Sequence, residues 1–81
     1  MENIKNLTDD VKLLFKLIGV TLCDYQLKEV TNRKLLVMKT DCVAMTMPFT
    51  KMLIGICEEY KSTFTIDCID TENGLTFNFI F

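Results

Sequence analysis

The sequence predicts a two-layer α+β sandwich, a four-stranded antiparallel sheet with two helices on one face in the order αββαββ. Three observations lead there. The closing run Leu75-Thr76-Phe77-Asn78-Phe79-Ile80-Phe81 places Leu and three Phe at alternate positions, the period of a strand with one buried face. Two other stretches, Val11 to Ile18 and Phe49 to Tyr60, carry their apolar residues at helical spacing. Each helical stretch is followed by two strand-like runs parted by turn residues, which reads as two hairpins.

Thr8-Asp9-Asp10 reads as the start of the first helix, a capping hydroxyl followed by two carboxylates at the positive end of the helix dipole. Asn3 or Asn6 would cap a longer version. Val11, Leu14, Phe15 and Ile18 form the buried stripe, and Gly19 stands where a left-handed C-cap belongs. The expected helix is Thr8 to Ile18. Leu13 and Leu17 fall about 120–160° from the centre of that stripe, at about 100° per residue. They either sit under a neighbouring loop or form a patch that a partner covers.

The first strand, Thr21 to Val30, alternates Cys23, Tyr25 and Leu27 with Asp24, Gln26 and Lys28, a half-buried strand polar enough for an edge. Thr31-Asn32-Arg33 supplies a turn. The second, Lys34 to Lys39, is apolar on both faces through Leu35-Leu36-Val37-Met38 and belongs in the middle of a sheet. Thr40 to Met47 is a loop or holds a short extra strand at 42–45, which gives the alternative order αβββαββ. That alternative order is similar to the class I chaperones of type III secretion. Pro48 suits the first turn of helix two, with Thr46 or Met47 near the cap. Phe49, Met52, Leu53, Ile56, Cys57 and Tyr60 then face inward, and Lys51, Glu58 and Lys61 outward. The third strand is expected from Thr63 to Ile69, and Asn73-Gly74 is a tight-turn dipeptide leading into the last. In architecture this is a permuted ferredoxin-like arrangement whose usual first strand has moved to the end. It puts the two most apolar strands in the centre and the polar-sided ones at the edges.

With 81 residues the chain makes one small domain, 1–81. An apolar fraction of 49% and a charged fraction of 25% place it among globular proteins and away from disordered ones. A net charge of −2, with Arg33 as the only arginine, disfavours nucleic acid, whose affinity comes from clustered Lys and Arg. Met1-Glu2-Asn3-Ile4-Lys5 lacks the basic-then-apolar order of a signal peptide. The most apolar window, Val11 to Cys23, is interrupted by Lys12 and Lys16 and is short for a bilayer. The expectation is a cytoplasmic protein with no membrane contact. The Lys-, Asn- and Ile-rich vocabulary suits AT-rich coding in a low-GC bacterium, its phage or a virus.

Cys23, Cys42, Cys57 and Cys68 contain no C-x-x-C pair, and the chain has no histidine, so common zinc spacings are absent and no metal or cofactor is expected. The thiols read as reduced and buried. In the expected sheet, Cys23 and Cys68 would face the helices from opposite edges, about 14 Å apart. Catalysis is not expected either. The commonest general base is missing, and there is no glycine-rich phosphate loop and no G-x-S-x-G. Asp9-Asp10 and Glu58-Glu59 are adjacent pairs whose side chains diverge by about 100° on a helix.

The sheet face turned away from the helices would present Asp24, Gln26 and Lys28, one of the pairs Leu35/Val37 or Leu36/Met38, then Thr76, Asn78 and Ile80, and Thr65, Asp67 and Ile69. An apolar centre with a polar rim is the anatomy of a protein interface. The last strand's phenylalanines face the other way, which speaks against stacking on RNA. The expected function is therefore a small non-catalytic protein-binding module, such as a phage- or virus-encoded inhibitor of a host enzyme or defence complex acting in the host cytoplasm. Its candidate contact residues are Leu13, Leu17, Thr76, Asn78, Ile80 and Ile69. The alternative is a homodimer, joined sheet to sheet, that holds a small ligand.

Overall fold

A computed structural model describes residues 2–67 and 74–81. The elements are α1 (Glu2–Ile18), β1 (Leu22–Val30), β2 (Arg33–Thr40), α2 (Met47–Glu59), β3 (Thr63–Asp67) and β4 (Thr76–Ile80). The four strands form one antiparallel sheet in the order β1-β2-β4-β3. Both helices lie on one face of it, a small two-layer α+β fold.

Helix α1 begins at Glu2, not at Thr8, so the apparent cap is an interior residue. The Thr8 hydroxyl donates back to the Ile4 carbonyl at 2.7 Å and is buried there. A hydroxyl satisfied four residues back does not have to end a helix. The longer helix adds Ile4 and Leu7 to the buried stripe of Val11, Leu14 and Phe15. Its other end follows the expected cap. Gly19 has φ +80, with Gly19 N–H on Lys16 O at 3.4 Å and Val20 N–H on Phe15 O at 2.8 Å, the paired bonds of a Schellman motif. Ile18, expected inside, is 40% exposed at the last position of the helix.

Helix α2 is capped by Thr46, whose side chain accepts from the Phe49 amide at 3.3 Å, with proline in its first turn. Phe49, Leu53 and Cys57 are buried. Met52, expected with them, is 50% exposed. Its position on the helix turns it toward α1 and solvent rather than onto the sheet. The helix ends in a second Schellman motif, with Lys61 N–H on Glu58 O and Ser62 N–H on Cys57 O, and Lys61 takes φ +55.

The cross-strand register decides which side of β2 faces the helices. Leu36 pairs with Phe79 and Met38 with Phe77, and all four are buried. The rings of Phe15 from α1, Phe49 from α2 and Phe77 from β4 form a triangle with centroids 5.4–6.0 Å apart. One side chain from each helix and one from a central strand thus meet at the centre, in edge or tilted contacts that favour aromatic packing. Phe79 extends the same cluster to Phe64 on β3, at 6.2 Å.

Residues 41–46 contain no strand, so the αβββαββ order, and with it the likeness to type III secretion chaperones, is not found. The segment is nonetheless fixed by hydrogen bonds. Leu75 N–H donates to Cys42 O at 2.7 Å, and Thr40 donates to Leu75 O through both its amide and its hydroxyl. Gly74, at φ +93, lies against this connection so closely that a Cβ there would overlap the Thr40 carbonyl oxygen. Glycine is required at this crossing. Asn73, the other half of the expected turn, lies outside the described residues.

Strand β1 departs most from expectation. A register shift between Leu22 and Asp24 leaves Cys23 in a bulge, where its thiol is exposed rather than buried. Tyr25 and Leu27 share the face of Met38 and Leu36, yet they are 49% and 48% exposed, because the helices cover the other three strands and leave β1 beyond them. Lys12 of α1 reaches across, its ammonium 4.2 Å from the Tyr25 ring centre, a contact worth about 0.5–1 kcal/mol at an exposed site. Cys42 and Cys57 are buried free thiols, and Cys68 lies outside the described residues. Among the described residues, no helix is long and apolar enough to cross a membrane.

Candidate functional site

The residues singled out from the sequence fall on opposite sides of the molecule. Thr76, Asn78 and Ile80 line the sheet face away from the helices. Leu13 and Leu17 stand on α1 among the helices, 56% and 75% exposed. Ile69 lies outside the described residues. The two groups cannot form one contact surface.

On the open sheet face the register creates three rows. Lys28, Leu35, Ile80 and Thr63 form one, Gln26, Val37, Asn78 and Thr65 the next, and Asp24, Lys39, Thr76 and Asp67 the third. Leu35, Val37 and Ile80 are the apolar members, and each is partly covered by its cross-strand neighbours. The Asn78 amide donates to the Asp67 carboxylate at 3.1 Å, so part of the polar rim is satisfied internally. A hollow of about 490 Å³ opens where this face meets the β1–β2 turn, beside Arg33 and a left-handed Thr31. Apart from Ile80 it is bounded by one consecutive run of chain, residues 30–35.

The helix side is different. α1 and α2 run antiparallel, with Phe49 near the start of α2 against Phe15 and Tyr60 at its end against Asp10. Between their outer flanks lies a groove of about 410 Å³. Leu13 and Leu17 form one wall, and Met52, Gly55 and Ile56 the other. Asp10 and Glu59 close one end, and none of the lining residues is a lysine or arginine. Beyond the other end the surface stays apolar through Ile18 and Pro48.

Two features of this groove oppose the local preferences of the chain. Gly55 sits inside a helix, where glycine costs about 1 kcal/mol relative to alanine. A Cβ there would meet nothing within 4 Å, so internal packing does not call for the glycine. Helix α2 also ends on Glu58 and Glu59 with no basic residue in its last turn, setting carboxylates at the negative end of its dipole. Local rules broken without an internal gain are expected at functional sites.

Tyr60 holds the acidic end together. Its hydroxyl donates to the Asp10 carboxylate at 2.6 Å, tying the end of α2 to α1. That bond, with partial burial and the charges of Asp10, Glu59 and Asp9, pushes the Tyr60 phenol up to about 12. A phenol kept protonated in this way serves as a clasp and not as a base near neutrality. Burial pushes the Cys57 thiol up to about 11, the direction of an inert thiol. Among the described residues, no group of three or more Cys, Asp or Glu side chains gathers where a metal ion could bind.

Comparison with protein-family models and with curated proteins finds no match to this chain. The site is therefore defined by its own geometry.

Proposed function

We propose that this chain is a small non-catalytic protein-binding module whose contact surface is the α1–α2 groove. The observation that carries this reading is the exposure of Leu13, Leu17 and Met52 around one apolar groove. On a domain this small, large apolar side chains are needed inside, so a cluster left outside points to a partner. The finer setting, a phage- or virus-encoded inhibitor of a host enzyme or defence complex, is part of the proposal and rests on size and residue vocabulary.

Less supports the homodimer joined sheet to sheet, because Leu35, Val37 and Ile80 on that face are partly covered and the edge strands set Asp24, Gln26, Lys28, Thr63, Thr65 and Asp67 beside them.

The test is a quantitative co-purification from a low-GC bacterial lysate, using the parent, Leu13→Glu/Leu17→Glu and Val37→Asp. The proposal expects a protein retained by the parent and Val37→Asp, lost by the double variant, and rebound when purified. A partner lost with Val37→Asp but kept by the double variant would move the site to the sheet. The absence of any partner would count against the module itself.

A further inference from the structure

We propose that the α1–α2 groove receives an amphipathic helix with a short apolar face and basic residues clustered at one end. This deepens the preceding proposal and rests on it. From Asp10 to Leu17 the α1 wall is about 10 Å long at 1.5 Å per residue. That length matches two turns of a docked helix and two or three anchors at i, i+3 or i+4, and i+7.

The α2 wall of the groove favours a helix over an extended strand. Gly55 has open space where a side chain would stand. Small residues at a helix surface let a second backbone approach closely, and Met52 beside it can adapt to the anchor it meets. The open volume above Gly55 is what a third helix would fill.

Charge sets the direction of the occupant. One end carries Asp10 and Glu59, with Asp9 close enough to act on Tyr60. The other end is Leu17, Met52, Ile18 and Pro48. A helix whose lysines or arginines overhang the acidic end pairs those carboxylates and relieves their clash with the α2 dipole. A second copy of this chain fits poorly. In a two-fold dimer of antiparallel grooves, each acidic end would lie on the partner's apolar end and lose water without gaining a cation. With parallel grooves the acidic ends would meet each other.

The experiment is a selection from displayed peptides of about 14 residues, long enough to form a helix when bound. Positions on both faces are randomised, and binders are counter-selected on Leu13→Glu/Leu17→Glu. The expected winners carry apolar residues at helical spacing and Lys or Arg at one end. They bind the parent at least about tenfold more tightly than Glu59→Lys and weaken as salt rises. Glu59→Lys places a cation at a helix C-terminus, where it favours folding, so weaker binding there is not unfolding. Gly55→Ala is expected to raise the melting temperature by about 4–8 °C while weakening the selected peptides.

Winners that are acidic or uncharged, or indifferent to Glu59→Lys, overturn the basic-helix proposal and leave the binding module standing. Self-association of the parent at micromolar concentration that the double variant abolishes overturns it in favour of a second copy. A selection yielding no groove-dependent binder overturns both.

Discussion

On the open sheet face, Leu35, Val37 and Ile80 lie between cross-strand neighbours that partly cover them, whereas Leu13, Leu17 and Met52 stand around the helix groove at least half exposed. The difference follows from geometry. A flat antiparallel face can shield a few apolar residues under the long side chains beside them, such as Lys28 and Gln26 opposite Leu35 and Val37. Two helices packed on a sheet leave a valley between their outer flanks, and Gly55 adds no side chain to it. Both surfaces carry apolar residues, but on the sheet only Val30, beside the β1–β2 turn, is about as exposed as Leu13.

The largest effect that can break this comparison lies beneath it. Phe79→Ala should cost about 3–5 kcal/mol, because Phe79 is fully buried between Leu36 and Phe64. That is a large share of the roughly 5–15 kcal/mol typical of small domains. Urea unfolding checks it, and an unchanged midpoint would mean the layers do not meet there. Next comes Val37→Asp, which places a poor strand former on central β2 and should cost about 1–2 kcal/mol. The same variant should retain partner binding. If it abolished binding while staying folded, the sheet face and not the groove would be the contact surface.

A smaller effect is read in alkali. Tyr60 titrates at about 12 in the fold against an ordinary value of 10.0, and Cys57 at about 11 against 9.0. Both groups are raised, so each contribution is complete below the unfolded value and lost as pH rises through the folded one. Stability should decline from pH 9 to 11 through Cys57 and from pH 10 to 12 through Tyr60. Tyr60→Phe should flatten the upper part and Cys57→Ala the lower, as followed by urea midpoints. Identical profiles for parent and variants would refute the clasp between α2 and α1. Smallest in energy is a contrast of reactivity. Cys23 in its bulge should label quickly with a thiol reagent in native protein and Cys57 only on unfolding, as peptide mapping would show.

Much of the architecture was legible because burial repeats at the period of each element. The alternation in β4 and the helical spacing of Phe49, Leu53 and Cys57 identify their buried faces without further information. Periodicity says nothing where both faces of an element are alike. In β2 both faces are apolar, so only pairing with Phe77 and Phe79 could select Leu36 and Met38 as the inner pair. Thr8 resembled a cap because sequence does not reveal whether a hydroxyl bonds forward to an amide or back to a carbonyl. The alternation named the helix-side face for Tyr25 and Leu27, but it showed neither the bulge that takes Cys23 out of that face nor how far the helices extend over it. Half of the groove was visible in the angular offset of Leu13 and Leu17. The other half, Met52 and Gly55, was not, since it depends on how α2 is rotated against α1.

The most direct test of the central claim is the unfolding free energy of Leu13→Glu/Leu17→Glu. If the groove is an open contact surface, two added carboxylates should change stability by no more than about 1 kcal/mol, as exposed sites allow. A loss of several kcal/mol, or failure to fold, would show that these leucines belong to the core and that the groove is not a site.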